Sequence, residues 1–223
     1  IGWELGVLQG LHDAGIDLTT ADRLVGTSAG SAVAAQITSG FPLSGLFDRQ
    51  LSADLLTTEL AADFDPEELM REFGKLLADT EPGTEMFRAM GAYALRARTV
   101  PQSVRRPVIE RRLPSHQWPD RDLRIVAIEA MTGTPRVFTA ADEVELVDAV
   151  AASCAVPGVW PPVTIGDGRY IDGGARSGTN LDLAQGCDVV VVIAPMPELP
   201  FAAPDVVSGA EAVRASARVV TIT

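Results

Sequence analysis

The chain has 223 residues, 47% apolar and 22% charged, which excludes a disordered polymer and is enough for one α/β domain with its own core. A net charge of −12 opposes nucleic-acid binding, which needs cationic contacts to phosphate. No apolar run reaches the roughly 18 residues that a membrane span needs, and no basic region precedes an apolar stretch as in a signal peptide. Ile1 and Thr223 both fall inside what read as structural elements. The chain is therefore expected to be part of a longer polypeptide, with room for a removed targeting segment. A cytoplasmic or peripheral-membrane location is expected.

Leu5, Val7, Leu8, Leu11 and Ala14 fall at helical spacing, and Gly15 closes the helix. Asp22 to Val25 reads as a short strand, Gly26 to Gly30 as a turn of small residues, and Ser31 to Ile37 as a helix. From Phe41 to about Tyr93 the pattern is helical. Leu46, Phe47 and Leu51 form one apolar group, and Leu55, Leu56 and Leu60 another. Asp65-Pro66-Glu67-Glu68 is a capped helix start with proline in the first turn, and Met70, Phe73, Leu76 and Leu77 are its expected buried face. The proline-punctuated stretch 99–119 reads as loop.

Leu123 to Met131 is a near-continuous apolar run, expected as a central strand. Gly133-Thr134-Pro135 turns into a second strand, Arg136 to Thr139, and Glu145 to Ser153 is helical. Arg169 to Ile171 reads as a short strand, Asp188 to Ile193 as a buried one, and Ala210 to Arg218 as the last helix.

Gly26-Thr27-Ser28-Ala29-Gly30 is a G-x-S-x-G set between strand and helix, the context of a nucleophile elbow. Its glycines, Gly26 and Gly30, are expected where a side chain would collide with the neighbouring strand or helix. Such a turn exposes the Ser28 hydroxyl at a helix N-terminus, where dipole and free N–H groups favour developing negative charge. A turn of this kind also binds phosphate, so a binding module without turnover is the rival reading.

A serine nucleophile needs a base. His12 sits late in the first helix beside Asp13 and reads as a surface residue. His116 precedes Asp172, an order that does not match the hydrolase order of serine, acid, histidine. That leaves a carboxylate acting directly on serine. Tyr170-Ile171-Asp172-Gly173-Gly174 ends a strand with an acid and two glycines. Partial desolvation would raise Asp172 from its usual value of about 4, and the glycines allow close backbone approach.

At these residues the chain resembles the patatin-like phospholipase family. The resemblance is carried by Gly26-Thr27-Ser28-Ala29-Gly30, by Ala152-Ser153-Cys154-Ala155-Val156-Pro157 with Trp160-Pro161-Pro162, and by Asp172-Gly173-Gly174. Gly6-Val7-Leu8 through Ala14-Gly15-Ile16 also resembles the first helix of bacterial members. It implies a three-layer α/β/α sandwich over residues 1–223, with a helical insert at about 41–98. It implies Ser28 as nucleophile and Asp172 as base of a Ser–Asp dyad, with Gly26, Ala29, Gly30 and Gly173 forming the elbow and oxyanion surroundings. The family's glycine-rich oxyanion loop would fall before Ile1, with Gly2 at most its remnant. The implied activity is lipid acyl hydrolysis, of phospholipase, lysophospholipase or carboxylesterase type. Acyl transfer with the same dyad and an inactive binding module are the alternatives.

No cofactor and no metal are expected, because no Cys/His cluster has zinc spacing. Cys154 and Cys187 lie in apolar settings and read as buried free thiols suited to a reducing compartment, a single disulfide being the alternative. The expected partner is a lipid or acyl-ester substrate, with transient membrane-surface contact. Arg96, Arg98, Arg105, Arg106, Arg111 and Arg112 are either a salt-bridged face or a patch that docks on anionic headgroups. Phe47, Phe64, Phe73, Met86, Phe87 and Met90 are either ordinary core or the lining of an acyl channel or lid.

Overall fold

The computed structural model describes residues 1–52, 59–196 and 206–223. Its centre is β2 (Asp122–Glu129), in which Ile125, Val126, Ala127 and Ile128 are fully buried. Burying each of the larger of these side chains contributes about 1.5–3 kcal/mol. β1 (Arg23–Thr27) runs parallel to β2, with Thr27 opposite Val126. β5 (Gly168–Asp172) runs antiparallel to it, with Asp172 opposite Ala127. β3 (Pro135–Phe138) pairs with residues 125–128 of β2, so it occupies the strand's other edge. β1 and β5 therefore meet end to end on one edge of β2, and this seam positions the site. β4 (Val163–Ile165) completes the five-stranded mixed sheet.

Helices cover both faces. α2 (Ala29–Ile37), α6 (Gln102–Arg112) and α7 (Leu146–Ser153) share one core with Leu24, Ile125, Ala127 and Phe138. α5 (Thr84–Arg96) packs Met86, Phe87 and Met90 on the opposite face against Ile128 and Ile171, with Leu76 and Leu77 of α4 (Pro66–Asp79) behind. The alternation of Ala127 and Ile128 between the two cores is the period-2 rule of a strand. This is the expected α/β/α layering. α1 (Gly2–Asp13) and α3 (Leu43–Leu51) close one side, around Leu5, Leu8, Val33 and Leu46.

Local chemistry explains the helix ends. α1 stops at Gly15, whose φ of +85° allows the Ile16 N–H to reach Leu11 O at 2.9 Å and the Gly15 N–H to reach His12 O at 2.9 Å. α4 starts at Asp65, whose side chain accepts from the N–H groups of Glu67 and Glu68, with Pro66 following.

Several expectations are corrected. Residues 99–119 are not a loop throughout, because α6 occupies Gln102–Arg112. Pro101 stands just ahead of its first turn, and Pro107 inside it removes one N–H. The helix survives because Arg105, Val108 and Ile109 are buried. Met70 is 52% and Leu51 70% exposed, so neither joins its expected apolar group. Leu55 and Leu56 lie outside the described residues. β6 (Val189–Ile193) is not buried on both faces: Val190 and Val192 are buried, while Val189 is 59% exposed. It pairs in parallel with β7 (Arg218–Ile222) in a separate two-stranded sheet, backed by α8 (Val206–Arg214). The last helix thus ends before Arg218, which begins β7. Both cysteines are free, and Cys187 is only half-buried. Among the described residues no helix is long and apolar enough to cross a membrane.

Candidate active site

Ser28 sits between β1 and α2 with φ 52° and ψ −126°, a conformation that costs a non-glycine residue about 1–3 kcal/mol. Gly26 makes the turn possible, since a Cβ there would stand 2.5 Å from Ser31 Cα. Gly30 is less demanding than expected: its Cβ would meet only the tip of Glu4, at 3.4 Å. Ala29 opens α2, so its N–H points out of the helix N-terminus beside Ser28.

Asp172 ends β5 and is 4% exposed. Its Oδ1 accepts the Gly174 N–H at 2.7 Å, and its Oδ2 is buried with no hydrogen-bond partner among the described residues. Burial pushes the carboxyl up to about 6, against lowering interactions with the Ser28 hydroxyl and the Gly174 N–H. The two side chains therefore face each other across the seam between β1 and β5. Gly173 lies over β2, where a Cβ would come within 2.4 Å of Val126 O. Its lack of a side chain lets the backbone leave β5 directly above Val126.

The histidines are elsewhere. His12 lies beside Asp13, and His116 Nε2 is 3.1 Å from Glu110 O.

Three residues with no role assigned from the sequence converge on the site. Ser153 Oγ accepts the Ser28 N–H at 3.0 Å and donates to Val126 O at 2.6 Å. Cys154 Sγ donates to Ser28 O at 3.1 Å. Buried Asn180 donates to Thr27 Oγ1 at 3.0 Å and to Ser177 O at 2.9 Å. The run Ala152-Ser153-Cys154 carried part of the resemblance, but nothing in the sequence says what its side chains hold. Asn180 follows Ser177-Gly178-Thr179, which reads as an ordinary polar turn.

Ser28 and Asp172 lie on the wall of a cavity of about 1010 Å³ between β1 and β6, whose apolar lining includes Leu8, Val25, Val33 and Val192. Phe73 and Met90 reach it from α4 and α5, whereas Met86 and Phe87 are ordinary core.

Arg105, Arg106 and Arg112 of the arginine stretch are turned inward, whereas Arg96, Arg98 and Arg111 are exposed. Arg106 pairs with Asp148 at 2.6 Å and with Glu145, and Arg112 with Glu59 at 2.7 Å. Arg105 is buried with its guanidinium 3.7 Å from the Trp160 ring centroid.

No curated protein sequence matches the chain. The family model described as Patatin-like phospholipase matches residues 1–184. With that match over most of its length, the chain belongs to the patatin-like phospholipase family, which has the α/β/α fold and lipid acyl hydrolysis as its general activity.

Proposed function

We propose that the protein cleaves acyl esters of lipids through Ser28 and Asp172 by way of an acyl-enzyme. Ser28 Oγ attacks the ester carbonyl while Asp172 Oδ2 takes its proton. Asp172 returns that proton to the leaving alkoxide as the ester C–O bond breaks. Water then attacks the acyl-enzyme, giving its proton to Asp172, and the acid leaves as Ser28 recovers its hydrogen. The Ala29 N–H at the start of α2 contributes one donor to the tetrahedral oxyanion, where a single donor is worth about 2.7–4 kcal/mol.

The supporting observation is the pairing of a strained, cavity-facing serine with a buried carboxyl whose pKa is raised to about 6. A carboxylate of that basicity is a better proton acceptor near neutral pH than an ordinary one and is still largely ionised there. The apolar cavity suits an acyl chain, each buried methylene contributing up to about 0.8 kcal/mol.

The test is labelling with a serine-directed fluorophosphonate, together with turnover of p-nitrophenyl esters of increasing chain length. Labelling that is lost in Ser28→Ala, with turnover that depends on chain length, is expected. No labelling and no turnover would favour a binding module. Ester product that grows with added alcohol would assign acyl transfer.

A further inference from the structure

We propose that Ser153 and Cys154 are positioning residues: their side chains fasten both peptide groups of Ser28 and thereby set its separation from Asp172. This rests on the reading of Ser28 as nucleophile and Asp172 as base.

The Ser28 backbone occupies a sparsely populated conformation and returns to a relaxed one unless its neighbours hold it. Its N–H is held by Ser153 Oγ at 3.0 Å. The single hydroxyl hydrogen of Ser153 is committed to Val126 O at 2.6 Å, so the oxygen offers Ser28 a lone pair. Val126 is the β2 residue opposite Thr27, and its carbonyl is the one that Gly173 crosses. Ser153 therefore ties the elbow to the strand that carries both halves of the site.

The Ser28 carbonyl is held on the other side. It accepts from Cys154 Sγ at 3.1 Å, from Ser31 Oγ at 2.6 Å and from the Ser31 N–H at 2.9 Å. Burial pushes the Cys154 thiol up to about 11, so it keeps its hydrogen at working pH and remains a donor.

The next residue completes the arrangement. Ala155 O accepts the Asp172 N–H at 3.0 Å. Three consecutive residues at the end of α7 thus hold Ser28 by two side chains and Asp172 by one carbonyl. The segment acts as a spacer between nucleophile and base. Only a side chain that both accepts and donates serves at 153, and only a donor serves at 154.

A loosened elbow has a specific consequence. If Ser28 relaxes, its hydroxyl leaves Asp172, and the carboxyl loses an interaction that lowers its pKa. The pH at which activity falls on the acid side then moves upward. A residue that only fills space changes the amount of folded protein and leaves that pH where it was.

The experiment measures p-nitrophenyl ester turnover from about pH 4 to pH 9, per folded molecule by circular dichroism. It compares the wild-type full chain with Ser153→Ala, Cys154→Ala and Cys154→Ser. Ser153→Ala is expected to lower kcat about 10–100-fold with KM nearly unchanged, and to move the acid limb upward. Cys154→Ala is expected to show a smaller loss in the same pattern, and Cys154→Ser, which keeps a donor, to recover most of it. If Ser153→Ala does not fold, the Cys154 pair decides by the same criteria. A wild-type acid limb and kcat per folded molecule in Ser153→Ala would overturn the proposal, as would equal losses in Cys154→Ala and Cys154→Ser. Failure of the underlying dyad is read separately, as turnover surviving in Ser28→Ala or Asp172→Asn.

Discussion

Asn180 donates through Nδ2 to Thr27 Oγ1 at 3.0 Å, so the residue before Ser28 is tied to the chain that follows Asp172. The same side chain reaches Ser177 O at 2.9 Å, and its Oδ1 accepts from Arg176 Nη1 at 2.6 Å. Asn180 is fully buried and left-handed, with φ 48°, a conformation that asparagine tolerates better than most residues. Asn180→Ala should leave Thr27 Oγ1 and Ser177 O without this partner and cost about 1–3 kcal/mol. Urea unfolding measures it. A loss below about 0.5 kcal/mol would mean that water replaces the amide at no cost.

The pH dependence of turnover follows from Asp172. Burial pushes its carboxyl up to about 6, above the usual carboxylate range. Below about pH 6 it carries a proton and cannot accept one from Ser28. Plots of kcat/KM should therefore fall on the acid side with an apparent pKa near 6, tenfold per pH unit well below it. His116→Ala should leave that limb in place, because His116 is bound at Glu110. A limb that disappears in His116→Ala would transfer the base role to that histidine.

Stability should show the opposite sign. A raised carboxyl pKa means that the folded protein binds more protons than the unfolded chain between about pH 4 and pH 6. Its contribution falls as pH rises through that window and stays unfavourable above it. Asp172→Asn removes the buried charge while keeping an acceptor for the Gly174 N–H. It should be more stable than wild type at pH 7–8 by up to about 3 kcal/mol, with the gain fading toward pH 4. Thermal melts at pH 4 and pH 8 test this, and an equal difference at both pH values would contradict it.

Much of the frame was legible in the sequence because it follows local rules. The apolar run of β2, the glycine stop after α1, the Asp65 cap of α4 and the strand–turn–helix around Ser28 each carry their own signal. Elements that depend on distant partners were less legible. α6 looked like loop because its prolines outweigh its propensity, and only the burial of Arg105, Val108 and Ile109 explains its persistence. The end-to-end meeting of β1 and β5 on β2 is a matter of register between strands roughly a hundred residues apart in one case and about forty in the other. Ser153, Cys154 and Asn180 act through that register, so their spacing shows nothing of it. The arginine stretch reads as a patch in one dimension, but Arg105, Arg106, Arg111 and Arg112 fold into a helix with an inward side.

That inward side leads to a contrast between neighbouring arginines. Arg106 is half-buried and satisfied by Asp148, Glu145 and, at 3.7 Å, Glu110. Arg106→Ala leaves three carboxylates near one another and should cost about 1–2 kcal/mol, a difference that shrinks in high salt. Arg105 is more buried, yet its Nε and Nη1 have no hydrogen bond among the described residues, and burial lowers its pKa to about 10. The lowered pKa corresponds to a net cost on the order of 3 kcal/mol, of which stacking on Trp160 offsets up to about 2 kcal/mol. Arg105→Met, of similar length and without the charge, should therefore lie within about 1 kcal/mol of wild type. Urea unfolding of the two variants at low and high salt gives the comparison. Arg105→Met losing more than Arg106→Ala would show that the buried guanidinium holds a partner worth more than its desolvation.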